Sequence, residues 1–66
     1  MKFELTINTD NAAFGETAQE RNAEVVRIMQ YIATRLEKEP LQVIFGAVDH
    51  NGNIVGAAVF LEGDIQ

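Results

Sequence analysis

Asn51-Gly52 lies between two runs rich in small, β-branched and aromatic residues, 41–49 and 53–61. Asn-Gly is the strongest short-range hairpin signal, because a two-residue type I′ loop needs positive φ at both central positions. The pair is therefore expected to join two antiparallel strands and to set their register. On one side of the sheet, His50 then faces Asn53, Val48 faces Val55, Gly46 faces Ala57 and Ile44 faces Val59. On the other, Asp49 meets Ile54, Ala47 meets Gly56, Phe45 meets Ala58 and Val43 meets Phe60.

That register makes both sides of the hairpin apolar through the middle. One side carries Ile44, Val48, Val55 and Val59, the other Val43, Phe45, Ala47, Ala58 and Phe60. A single helix covers only one of them, and a contiguous apolar patch left uncovered marks an interface. The pattern alone leaves open which set packs inward; we assign the candidate interface to Val43, Phe45, Ala47, Ala58 and Phe60. Gly46, Gly56 and the alanines at 47, 57 and 58 keep the sheet low, so that another element can approach closely.

Upstream, residues 2–9 alternate, with Phe3, Leu5 and Ile7 against Lys2, Glu4, Thr6 and Asn8. This predicts a half-buried strand with one wet face. Asp10-Asn11 ends it with turn chemistry. Residues 12–16 form a loop in which Phe14 is expected to be a core anchor. Thr17-Ala18-Gln19-Glu20 matches a capping box and starts a helix over residues 18–38. Val25, Ile28, Met29, Ile32, Ala33 and Leu36 fall on one helical stripe. Arg35 and Lys38 complement the dipole at its end, and Pro40 stops it. The expectation is an α+β domain of β-α-β-β order spanning residues 1–66, with one helix on a three-stranded sheet and a polar, frayed tail at 62–66. The first strand is placed beside the third, antiparallel, in preference to beside the second, parallel.

Sixty-six residues bury a modest core, and chains of this size usually add a disulfide, a metal or a second subunit. There is no cysteine and one histidine, so disulfides and a His/Cys zinc site are excluded and a homodimer is the expected remedy. The formal net charge of −5 argues against direct nucleic-acid binding. No apolar run approaches the roughly 20 residues of a membrane span, and residues 1–4 carry no signal-peptide core, so a cytoplasmic protein is expected. Asp10, Glu16, Glu62 and Asp64 are the unbalanced negatives, and would make an acidic rim if the fold gathers them.

His50 beside Asp49 is the one pairing with the chemistry of a general base. At a hairpin tip it lacks burial to tune it, and no Ser, Thr or Cys stands nearby as nucleophile. In residues 49–53 the glycine comes too early for a calcium loop, and no phosphate-binding glycine pattern is present. The sequence thus predicts no catalytic, metal or cofactor residues.

Two segments carry a resemblance. Asp10-Asn11-Ala12-Ala13-Phe14 after a first strand, and Asp49-His50-Asn51-Gly52-Asn53-Ile54-Val55-Gly56 after the helix, resemble a group of short bacteriophage and prophage proteins with an "NAAF"-like loop, an amphipathic helix and an "NGN-x-VG" hairpin. The likeness covers most of the chain in order. It implies a viral or mobile-element origin and a role without catalytic residues. Small acidic phage proteins are often inhibitors of host defence, anti-CRISPR proteins among them. The resulting expectation is a phage accessory protein that binds and inhibits a host protein, with an assembly module of a larger complex as the alternative. The runs 41–48 and 57–61 are more apolar than the resemblance suggests, which favours an added association surface.

Overall fold

The computed structural model describes residues 1–63. Strand β1 (Lys2–Ile7) leads through a short 3-10 turn (Ala12–Phe14) to helix α1 (Ala18–Lys38). Strands β2 (Ile44–Val48) and β3 (Ile54–Leu61) follow. Among the described residues the strands form one sheet of order β1-β3-β2, antiparallel throughout. The last strand therefore sits in the centre. The α+β arrangement is the expected one, as is the pairing of the first strand with the third.

Local chemistry sets the helix ends. Thr17 accepts from the Glu20 amide at 3.1 Å, and the Glu20 carboxylate accepts from the amides of Glu16 and Thr17. Those two backbone donors, chiefly that of Glu16, hold the Glu20 carboxyl below its ordinary value. At the other end the helix stops at Lys38, and Glu39 pairs back onto Arg35.

The core is Phe14, Ile28, Ile32, Phe45, Ala47 and Ala58. Phe14 is the anchor its position predicted, tucked against the helix. The buried stripe of α1 is rotated from the expected one. Glu24, Ile28 and Ile32 are buried and Val25 and Leu36 are half-buried, but Met29 is 48% exposed and Ala33 is exposed. The rotation has a cause: Glu24, Arg27 and Arg35 are held over the β2 side of the sheet. Arg27 reaches the Val48 carbonyl, and the Arg35 guanidinium lies 5.5 Å from the Phe45 ring centre. The flank bearing Met29 and Ala33 is turned the other way and left exposed.

The hairpin differs from the type I′ expectation. Among the described residues none other than glycine has positive φ; Gly52 does, at 88°. The Gly52 amide donates to the Asp49 carbonyl and the Asp49 amide to the Asn53 carbonyl. This is the three-residue loop, a type I turn closed by a left-handed glycine. It brings Asp49 opposite Asn53 and Val48 opposite Ile54, one residue out of the expected register. A β-bulge restores the register, so Ala47–Gly56, Gly46–Ala57, Phe45–Ala58 and Ile44–Val59 pair as expected. Val55 is the extra residue and packs against the core instead of joining Ile44, Val48 and Val59. Strand β2 is also shorter than residues 41–49: Leu41, just before it, is 94% exposed.

Candidate functional site

Two features concentrate chemistry: a polar cluster where the hairpin tip meets the helix, and the sheet face away from the helix.

The polar cluster is built around Asp49 and Glu24, both nearly inaccessible. Asp49 accepts from the amides of Asn51 and Asn53 at 2.9 Å each, and from the side-chain amides of Asn11 (2.9 Å) and Asn53 (3.3 Å). Burial raises its pKa and is the largest single influence, but the N–H donors together outweigh it and hold the carboxyl below its ordinary value. Glu24 forms a bidentate pair with Arg27 and accepts from the His50 amide at 2.8 Å. Arg27 lowers the Glu24 pKa most, burial opposes it, and the His50 amide adds to the lowering. Arg27 continues to the Val48 carbonyl, and His50 Nε2 lies 3.1 Å from the Ala13 carbonyl.

The hairpin tip is therefore a docked element rather than a free one. His50, although exposed, has its ring engaged with the loop that carries Phe14. Among the described residues no buried side-chain nitrogen or oxygen lacks a partner. No three His, Asp or Glu side chains there gather in a metal-binding group. The buried carboxylates of the cluster tie the hairpin tip to the helix and to the Asn11 loop, which is the chemistry of a clasp. Sequence reasoning missed this role for Asn11 and Glu24. The available signal was Asp49 at the first and Gly52 at the fourth turn position, the preference of a type I turn.

The candidate interface needs correction. Phe45 is 1% exposed, and Ala47 and Ala58 are fully buried beneath α1. They form this chain's own core, because the helix lies on their side of the sheet. Val43 remains exposed, and Phe60 is half-buried against Phe3 with ring centres 4.9 Å apart. The uncovered face is the opposite one. It carries Ile44 (59% exposed), Ile54 and Leu61, with Val48, Ala57 and Val59 half-buried between them. Its β1 margin holds Lys2 and Glu4, an exposed ion pair at 3.3 Å.

The acidic rim is not assembled. Asp10 follows the β1 end that pairs with Gly56, whereas Glu62 follows the β3 end that pairs with Lys2. Antiparallel pairing thus sends them to opposite ends of the sheet. Glu16 sits at the helix entry, its amide bound to Glu20. Residues 64–66, and with them Asp64, lie outside the described residues.

No helix among the described residues is long and apolar enough to cross a membrane. Comparison with protein-family models, curated proteins and solved structures gave no match to this chain.

Proposed function

We propose that this protein acts by binding another protein, without catalysis of its own, through the sheet face that carries Ile44, Ala57 and Val59. In the setting suggested by the resemblance to short phage and prophage proteins, the partner is a host protein and the consequence of binding is inhibition. The observation that carries the reading is the composition of this face. It is apolar from Ile44 on β2 to Leu61 on β3. Of the five Lys and Arg residues, four are on the helix; the fifth, Lys2, borders the face already paired with Glu4. A partner covering it would desolvate little charge while removing apolar surface from water, the economy of an interface core. The occupied state of the Glu24–Asp49 cluster supports the non-enzymatic part, since its groups are committed to holding the hairpin against the helix.

The test is affinity capture from a bacterial host lysate with the wild-type chain, Ile44→Asp and Val59→Lys. Both substitutions are on the uncovered face, and a lysine at 59 would stand opposite Glu4 in the sheet. Capture of a defence protein that both variants lose, while keeping the circular dichroism of the parent, is the expected result. Undiminished capture by folded variants would refute the assignment of this face. Recovery of virion components instead would favour the assembly role over inhibition.

A further inference from the structure

The sheet has two edges, and they are finished differently. In β2 the Phe60 amide donates to the Val43 carbonyl, so Phe45 and Ala47 turn their backbone groups to β3, whereas Ile44, Gly46 and Val48 turn theirs outward. Two of those outward carbonyls are occupied. Gln42 Nε2 donates to Ile44 at 2.6 Å and Arg27 Nη2 to Val48 at 2.9 Å. A strand approaching β2 would have to displace both side chains, a usual form of edge protection.

Strand β1 has no such cover. The Asn8 amide donates to the Val55 carbonyl, so the even-numbered residues of β1 face β3 and Phe3, Leu5 and Ile7 face outward. Among the described residues nothing bonds those three amides and three carbonyls. The side chains agree with the backbone. Phe3 is 41% exposed on the helix-bearing side, and the half-buried Phe60 lies against it. Met29, on the helix flank away from Arg27, is exposed as well. Open backbone and open apolar side chains thus coincide along one edge.

We infer that this edge takes a second copy of the chain, β1 pairing antiparallel with β1 of its partner about a two-fold axis at Leu5. The occupant follows from self-complementarity. With Leu5 opposite Leu5, Phe3 meets Ile7, Glu4 meets Thr6 and Lys2 meets Asn8, so no like charges face each other. Of the two neighbouring registers that keep hydrogen bonding, one would set Glu4 against Glu4, and the other, with Thr6 opposite Thr6, would pair only Leu5 with Ile7 within the strand. The chosen one forms six backbone hydrogen bonds through Phe3, Leu5 and Ile7. It places both helices on one side of a six-stranded sheet and brings the exposed Phe3 of each protomer to the seam. Because the β2 edges are blocked, the assembly closes as a dimer and does not extend into a fibre. This inference is independent of the uncovered sheet face, which remains free in the dimer.

Sedimentation equilibrium across a concentration series tests it, with charge variants at Thr6, an exposed residue on the far side from the core. The wild-type mass should rise from 7.3 kDa toward twice that value. Thr6→Lys, opposite Glu4 of the partner, should tighten the dimer and Thr6→Glu should loosen it, each by roughly threefold to tenfold in Kd. Glu4→Lys combined with Thr6→Glu should restore association. A wild-type mass that stays monomeric at every concentration would overturn the inference. So would a dimer indifferent to charge at positions 4 and 6, or one broken by Ile44→Asp.

Discussion

At the scale of single residues, two glycines on the same side-by-side strands carry opposite demands. A Cβ on Gly56 would stand 1.8 Å from the Thr6 carbonyl oxygen, a backbone atom of the paired strand that cannot swing aside. A Cβ on Gly46, at the outer strand, would meet nothing within 4 Å. Gly56→Ala should therefore destabilise by about 3 kcal/mol or more, since the cost falls on strand pairing itself. Gly46→Ala should shift stability by less than about 1 kcal/mol. Urea unfolding of the two variants beside the parent checks both; equal, small shifts would show that β1 and β3 are not so closely joined. Neither demand is visible in the sequence, where the two positions look alike. Gly56 directly follows the bulge residue Val55, whereas Gly46 lies where the strands pair regularly.

Elements were legible to the degree that their signals were local. Thr17 and Glu20 predicted the helix start because a capping box is closed within four residues. Ile44 to Ala47 found their partners across the hairpin because alternation fixes which face a side chain takes. The turn differs from the expected one because Asn-Gly suits two loop lengths, and the choice between them rests on Asp49. Its carboxylate gathers two amides of the loop and also the Asn11 side chain, a partner 38 positions away that no local rule anticipates. The uncovered face differs from the expected one for a related reason. Alternation separates the two faces of the hairpin without saying which one the helix covers; Arg27 bonding the Val48 carbonyl and Glu24 bonding the His50 amide are contacts between helix and hairpin that no local rule anticipates.

The same clasp gives the hairpin its pH dependence. Glu24 and Asp49 both have folded pKa values below their ordinary ones, 4.5 and 3.8. A depressed carboxyl contributes stability that is complete above the unfolded value and is lost as pH falls through the folded one. Thermal unfolding should therefore hold steady from neutrality to about pH 5 and decline below pH 4.5. His50 and Asn53 amide signals should be among the first to broaden. In Asp49→Asn the acid decline should be shallower, because one of the two carboxyls is gone. An unchanged acid profile in that variant would remove Asp49 from the account.

At the scale of the whole molecule, the sheet is larger than its single helix can cover. The helix lies toward β2, the hairpin tip is fastened beside it, and the opposite side of the molecule is left open along β1. The far face of the sheet is open too, and these two surfaces suit different tasks. The β1 edge presents backbone groups in a self-complementary row, which suits a second copy. The Ile44–Val59 face presents side chains without directional bonding, which suits a protein of different sequence. We propose that a small acidic chain built this way is completed by what it binds.

Amide hydrogen exchange at the two sheet edges, followed by NMR as the protein is concentrated, tests that claim most directly. The account predicts that the amides of Phe3, Leu5 and Ile7 become protected as the dimer forms. The Gly46 amide on the blocked edge should continue to exchange freely. If Phe3, Leu5 and Ile7 exchange as fast as Gly46 at every concentration, the β1 edge is not where this molecule is completed.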